Sequence, residues 1–119
     1  MAFDKEQFKR RTQQMAVRVI RLVQSLPHSV EGDVIGRQLL RASTSVGANY
    51  RASVRAKSTA DYINKLKIVE EEADESLYWL ELLVEAEIMP QRQLEPLMKE
   101  INEILAIIVT SLKTLRAQS

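Results

Sequence analysis

The chain of 119 residues is 45% hydrophobic and 28% charged, a balance typical of one globular domain, predicted here to span residues 1–119. Three glycines, three prolines and 5% aromatic residues favour long helices over a sheet with many turns. The absence of cysteine excludes disulfides, thiolate nucleophiles, and zinc or iron–sulfur sites built from cysteine. The net charge of +1 conceals an asymmetry, because residues 1–69 carry 13 Lys and Arg against 5 Asp and Glu, whereas residues 70–119 carry 4 against 11.

The first predicted helix covers residues 4–26. Asp4 marks its start, because an aspartate at this position can accept hydrogen bonds from the amides of the first turn. Residues on one face then recur at spacings of four and three, which indicates a packed helix: Phe8, Thr12, Met15, Val19, Leu22 and Leu26. Pro27 ends the helix, since the residue before a proline is disfavoured in the α conformation.

The second predicted helix covers residues 33–56, after a loop at residues 27–32. Its apolar face consists of Ile35, Leu39, Ala42, Val46 and Tyr50. Gly47 costs about 1 kcal/mol relative to alanine in a helix interior, so we expect it to permit close packing or a kink. Asn49 lies at the edge of the apolar face, where a hydrogen bond to a neighbouring helix would fix the register.

The third predicted helix covers residues 59–88 and begins at a capping box formed by Ser58 and Asp61. Its extra apolar residues (Tyr78, Trp79, Leu82, Leu83 and Ile88) indicate either deep burial or, as we favour, a subunit interface. The fourth covers residues 92–117 and contains Pro96. Because proline removes a donor and clashes one turn back, either the regular helix begins near Pro96 or residues 91–95 form a separate turn.

Together these elements predict an all-α fold, an antiparallel, up-down-up-down four-helix bundle without strands. The basic half of the chain then corresponds to helices 1 and 2, and the acidic half to helices 3 and 4. Such a split serves a charged partner or a contact between copies of the chain. A head-to-tail contact of this kind closes into a ring when its rotation divides the circle.

Two groups of arginines fall away from the apolar faces of the first two helices. We name them the α2 stripe (Arg37, Arg41, Arg51 and Arg55) and the α1 stripe (Arg10, Arg11, Arg18 and Arg21). Three interpretations remain open: a solvated helix face, a site for the phosphates of nucleic acid, or a site for an acidic surface on a neighbouring subunit. With few aromatic residues, nucleic-acid contacts would be directed mostly at phosphate.

No combination of residues predicts catalysis, a metal site, a cofactor or a small-molecule substrate. His28 is the only histidine and follows Pro27 in a loop. The acidic run at residues 70–75 cannot converge on one ion, because consecutive helical residues point about 100° apart; a solvated face or a basic partner helix explains it. The N-terminal residues lack the apolar stretch of a signal peptide, so we expect none there, and no apolar run approaches the ~20 residues that span a bilayer. We therefore expect a non-enzymatic, cytoplasmic protein without membrane contact.

Residues 38–51 (Gln-Leu-Leu-Arg-Ala-Ser-Thr-Ser-Val-Gly-Ala-Asn-Tyr-Arg) resemble the signature helix of a known family. These are the four-helix-bundle proteins encoded in intervening sequences of bacterial large-subunit ribosomal RNA genes. Two further segments are similar to the family, Ser58 with residues 61–63 and Glu75 with residues 78–80. The resemblance covers about residues 5–115. It departs at residues 52–53, where many members have Glu-Gly and this chain has Ala-Ser.

The resemblance implies a ring-shaped homopentamer whose basic surfaces bind nucleic acid, as in the related accessory proteins of diversity-generating retroelements. RNA or a protein–RNA complex would then be the partner. The alternative is a structural assembly module, in which the charge split serves only contacts between subunits or with a protein partner.

Overall fold

The computed structural model describes residues 3–118. Four helices make up nearly all of this part of the chain: α1 (Lys5–Ser25), α2 (Val30–Val54), α3 (Thr59–Glu85) and α4 (Gln91–Gln118). No strand occurs among the described residues, and the all-α prediction is confirmed. Helix α1 begins where predicted, since the Asp4 side chain accepts a hydrogen bond of 3.0 Å from the Gln7 amide.

The helices pack in chain order around a single core. Each contacts its neighbours in sequence, and α1 also contacts α4, although this contact is the least extensive of the four. Helices α1 and α2 run antiparallel, because Gly47 lies beside Thr12 and Gly36 lies beside Leu26. The bundle is elongated, measuring 47 × 24 × 21 Å.

Apolar side chains from all four helices form one buried cluster. The largest members that are almost completely buried include Tyr50, Met15, Leu39, Leu66, Leu80, Ile101 and Ile108. Three serines are also buried. Ser43 donates to the Ser76 hydroxyl over 3.0 Å, Ser76 donates to the Glu72 carbonyl over 2.8 Å, and Ser53 donates to the Tyr50 carbonyl over 2.6 Å. These buried serine hydroxyls are therefore paired, as burial requires, whereas the buried Tyr50 hydroxyl has no hydrogen-bond partner among the described residues.

Helix α2 begins three residues earlier than predicted. Ser29 is its N-cap, and the Ser29 hydroxyl accepts a hydrogen bond of 3.0 Å from the Gly32 amide. Glu31 and Asp33 then lie in the first turn, where negative charge is favourable. The prediction treated Gly32 as part of the loop, whereas Gly32 lies in the first turn of the helix. Only glycine fits at this position without a shift of the backbone, because a Cβ would lie 2.7 Å from the Pro27 carbonyl oxygen.

Helix α3 ends at Glu85, three residues before its predicted end. Glu87 adopts a positive φ of 59°. The Glu87 amide donates to the Val84 carbonyl, and the Ile88 amide donates to the Leu83 carbonyl. This is the Schellman arrangement, which closes a helix through one left-handed residue and was not predicted because that residue is usually glycine.

Helix α4 starts one residue before its predicted start at residue 92 and continues through Pro96, so both alternatives proposed for residues 91–95 are wrong. The helix begins at Gln91, and residues 91–95 belong to it. Pro96 lies in the second turn, with an exposed side chain, where only one hydrogen bond of the helix is lost. Leu94 and Leu97 on either side of it are buried and hold this segment against the core.

The environments of Gly47 and Asn49 differ from those predicted. Helix α2 is continuous through Gly47, and a Cβ there would lie 3.7 Å from the nearest atoms of Thr12, so neither a kink nor close packing requires this glycine. The Asn49 amide donates to the carbonyl and the hydroxyl of Ser45, at 2.9 Å each, within the same helix. The expected interhelical hydrogen bond is thus replaced by a local one, because Ser45 one turn earlier offers two acceptors.

Within residues 3–118, no helix combines the length and the apolar character needed to cross a membrane.

Candidate nucleic-acid interface

The α2 stripe is exposed along the outer side of α2. Arg37, Arg51 and Arg55 are all exposed, and no ion pair joins any of them to another described residue. Arg37 and Arg55 are 18 residues apart, which corresponds to about 27 Å along the helix axis. The stripe therefore presents three unpaired guanidinium groups that can bind an extended anion.

Arg41, the fourth member of the α2 stripe, is paired with α3. Its Nη2 atom lies 2.6 Å from Glu75 Oε2, and its Nη1 atom lies 3.4 Å from Glu72 Oε2. The side chain nevertheless remains 52% exposed. Part of the acidic run thus serves a neighbouring basic helix within the same chain, the second of the two explanations offered for that run.

The α1 stripe does not join the α2 stripe. Arg11 lies against α4, where its Nε and Nη2 atoms donate to the two carboxylate oxygens of Glu100 at 2.7 and 2.8 Å, and Nη2 also donates to Glu103 at 3.1 Å. Arg18 follows Arg11 after two helical turns and so projects from the same side of α1. The other three arginines of the α1 stripe, Arg10, Arg18 and Arg21, are exposed.

The groove between α1 and α2 instead presents a cation that sequence reasoning missed. Lys9 of α1 and Arg51 of α2 line it, together with Gln13 and Thr44, and Lys9 also pairs with Glu6 of the same helix at 3.0 Å. Its remaining lining is formed by small residues, Ala16, Gly47 and Ala48, and it encloses about 280 Å³. The spacing of residues 9, 13 and 16 places them on one face of α1, opposite the small residues of α2, and this spacing could have indicated the groove from the sequence.

The acidic residues of α3 are divided between two environments. Glu71 and Asp74 are exposed, while the side chain of Glu72 is 18% exposed. Burial raises the pKa of Glu72 above its ordinary value, and the neighbouring Arg41 partly offsets this rise. Glu75 accepts a further hydrogen bond of 3.4 Å from Trp79 Nε1.

Apart from Ile20 on α1, the exposed large apolar side chains of the described residues lie at two seams. Val30, Val34 and Tyr78 are 78%, 51% and 53% exposed. Val34 precedes Arg41 by two turns, and Tyr78 follows Glu75 by one turn, so these residues flank the α2–α3 seam that the Arg41–Glu75 pair defines. Of the second apolar stripe predicted on α3, Leu83 is buried, and Trp79, Leu82 and Ile88 pack against the core while remaining partly exposed.

The second apolar surface is a groove at the α1–α4 seam. It encloses about 700 Å³ and is lined mainly by apolar groups, among them Phe3, Tyr62, Ile107 and Leu115. Lys5 lines the same groove, and the neighbouring cavity of about 610 Å³ adds Arg10. Because helices follow one another in order around the bundle, the α1–α4 and α2–α3 seams lie on opposite sides of the molecule.

Among residues 3–118, no three histidine, aspartate or glutamate side chains approach closely enough to hold a metal ion. His28 is exposed in the loop between α1 and α2.

Residues 5–110 match the family model described as "23S rRNA-intervening sequence protein". The chain is also similar to a crystallised protein of unknown function from the S23 ribosomal protein family of Bacteroides thetaiotaomicron. The two are 38% identical, with a TM-score of 0.83, over 89% of this chain and 98% of the other. No curated protein matches the chain.

Proposed function

Because the chain belongs to the 23S rRNA-intervening sequence protein family, we propose that it is a non-enzymatic, homo-oligomeric bundle that binds nucleic acid, RNA in its biological setting, in the cytoplasm. The α2 stripe is the main contact, and Lys9 adds a cation across the α1–α2 groove. The exposed arginines of the α1 stripe extend the basic surface past the other side of α1.

One observation carries the proposal: Arg37, Arg51 and Arg55 are exposed and have no acidic partner among the described residues. Where the chain uses arginine to join helices, as at Arg11 and Arg41, it provides carboxylates within 3.4 Å. The remaining arginines are therefore available for an external anion. A guanidinium group suits phosphate oxygens because its donors form a planar fork.

Self-association is supported by the two exposed apolar surfaces on opposite sides of the bundle. A ridge with Val34 and Tyr78 on one copy can enter the α1–α4 groove of the next, a head-to-tail contact that closes into a ring. Charge favours this pairing, since the acidic residues of α3 would meet Lys5 and Arg10 beside the groove. The ring is five-fold by family resemblance, and repeating the α2 stripe around it would strengthen weak individual contacts through avidity.

The same apolar surfaces favour a second candidate, a structural assembly module that binds no nucleic acid. In that case the α2 stripe is a solvated face or holds an acidic protein surface.

Binding measurements on charge-matched variants separate the two candidates. The variant R37Q/R51Q/R55Q removes the three unpaired guanidinium groups of the α2 stripe. The control variant K67Q/K99Q/K113Q removes three exposed cations from α3 and α4 and so has the same net charge. Affinity for single-stranded and duplex RNA and DNA is measured by fluorescence anisotropy at about 0.1 M salt, where charges more than about 10 Å apart are largely screened.

We expect the first variant to bind every nucleic acid more weakly than the parent, and the control to bind nearly as well as the parent. If the parent binds none of the four ligands, or if both variants lose affinity equally, the α2 stripe is not a nucleic-acid site. If the first variant instead dissociates into monomers, its arginines hold the assembly together, and the assembly module is the correct function.

A further inference from the structure

Arg41 differs from the rest of the α2 stripe in the position of its donors. Two guanidinium nitrogens of Arg41 lie 2.6 and 3.4 Å from the carboxylates of Glu75 and Glu72. Its third nitrogen, Nε, lies 3.5 Å from the Gln38 side-chain oxygen. The planar fork that would hold a phosphate is therefore already occupied by carboxylate oxygens, which accept hydrogen bonds from the same N–H donors as phosphate oxygens do.

The two carboxylates are the fixed part of this arrangement. Glu72 is only 18% exposed and Glu75 33% exposed, whereas Arg41 is 52% exposed. Trp79 Nε1 holds the second oxygen of Glu75 at 3.4 Å. Arg41 can thus turn towards solvent while Glu72 and Glu75 stay in place against α2.

The Arg11 pair shows the contrasting, structural case. Its guanidinium group binds Glu100 through two hydrogen bonds of 2.7 and 2.8 Å, and its side chain is 31% exposed. Arg11 joins α1 to α4 in the least extensive helix contact of the bundle. Arg41 instead lies at the most extensive contact, that between α2 and α3, where Ser43 and Ser76 already join the two helices. Exposed ion pairs contribute little to stability, so the fold does not depend on keeping Arg41 paired.

We propose that Glu72 and Glu75 compete with phosphate for Arg41 and so lower the affinity of the α2 stripe for nucleic acid. This regulation rests on the proposed nucleic-acid binding. When the two carboxylates hold Arg41, the stripe has three available cations and two anions beside them. When a phosphate displaces them, the stripe binds through four cations, so a ligand with closely spaced phosphates is favoured over an isolated anion.

The test compares two double variants with the same change in charge. E72Q/E75Q removes both carboxylates that hold Arg41, and the control E71Q/D74N removes two exposed carboxylates of the same helix that form no ion pair with a described residue. A 20-nucleotide single-stranded RNA is titrated with parent, variants and the triple variant R41Q/E72Q/E75Q across a salt series. Circular dichroism and a thermal melt check that each variant is folded, and E75Q alone replaces the double variant if that one unfolds.

We expect E72Q/E75Q to raise RNA affinity about two- to fivefold, the size expected when an exposed ion pair no longer competes. Its slope of log affinity against log salt should steepen by about 0.7, corresponding to one more phosphate contact on a single strand. The control E71Q/D74N should leave this slope unchanged. In the triple variant R41Q/E72Q/E75Q the gain in affinity should disappear.

Three outcomes would overturn the inference. If E72Q/E75Q and E71Q/D74N raise affinity equally with parallel salt slopes, the effect is one of net charge. If the gain survives in R41Q/E72Q/E75Q, it does not act through Arg41. If neither the parent nor E72Q/E75Q binds RNA, the proposed function fails as well, whereas in the first two outcomes the proposed function stands.

Discussion

The three glycines of this chain show how local geometry at single residues decides the cost of a side chain. All three lie in α2, and none has a positive φ. A Cβ on Gly32 would meet the Pro27 carbonyl oxygen at 2.7 Å, whereas a Cβ on Gly47 would lie 3.7 Å from the nearest atoms of Thr12. Glycine is therefore required at position 32 by the close approach of the Pro27 backbone, whereas position 47 can accept a Cβ.

We therefore expect opposite effects from the same substitution at these two positions. G47A should raise the free energy of unfolding by up to about 1 kcal/mol, because alanine is the better helix former and its methyl group reaches ordinary contact distance. G32A should lower it, because the backbone at Pro27 must move. Urea unfolding followed by circular dichroism measures both. A loss of stability in G47A would show that the α1–α2 contact is tighter than 3.7 Å.

Single residues also mark the limit of sequence reasoning about the site. The spacing of the arginines was sufficient to place both stripes away from the apolar faces, and seven of the eight are exposed. It could not show that Arg11 and Arg41 are paired, because their partners Glu100 and Glu75 lie 89 and 34 residues away in sequence. Asn49 illustrates the same point in reverse, since its partner Ser45 is local and was overlooked in favour of a distant one.

At the scale of helices, all four elements were predicted from the sequence because apolar periodicity extends over many turns. The ends of the helices were predicted less accurately, because each end depends on a few residues. Helix starts with a side-chain cap could be predicted from the sequence, as at Asp4 and Ser58. The Ser58 hydroxyl accepts a hydrogen bond of 3.1 Å from the Asp61 amide. The Asp61 carboxylate departs from the usual capping box, since it accepts from the Lys57 amide. The end of α3 was misplaced because its left-handed residue is Glu87, whose type gives no signal.

Replacing Glu87 by glycine tests the Schellman assignment. We expect E87G to stabilise the protein by about 0.5–1 kcal/mol, because glycine adopts positive φ without the steric penalty that a Cβ incurs. E85G, two residues earlier in the helical part of α3, should destabilise by a similar amount. Thermal unfolding of both variants gives the comparison. A destabilised E87G would mean that this residue does not hold a left-handed conformation in solution.

At the scale of the whole molecule, the charge split read from the sequence follows the order of the helices, because basic α1 and α2 are neighbours and acidic α3 and α4 are neighbours. Each basic helix also borders an acidic one, and at these two seams Arg11 pairs with α4 and Arg41 pairs with α3. Sequence reasoning correctly placed the charges on helices but could not place the seams, which depend on how the four helices pack. Two of the eight arginines are therefore paired within the chain, and six exposed arginines, three on each basic helix, form no ion pair with another described residue.

Assembly is the next prediction at this scale. We expect light scattering at micromolar concentration to give a mass several times that of the 13.6 kDa chain, five times by family resemblance. V34E should reduce this mass, because it places a charge in the apolar ridge at the α2–α3 seam. I20E is the control, since Ile20 is another exposed aliphatic residue, on α1 and outside both apolar surfaces. A parent protein that is monomeric at these concentrations would exclude the ring.

The salt dependence of nucleic-acid affinity tests the central claim most directly, because it counts phosphate contacts without knowledge of the natural ligand. For a single strand, log affinity should fall with log salt by about 0.7 for each phosphate that the protein neutralises. We predict a steep slope for the parent and a slope shallower by about 2 for R37Q/R51Q/R55Q, since three phosphate contacts are lost while the oligomer remains intact. Equal slopes for the parent and this variant, at equal mass, would contradict the account.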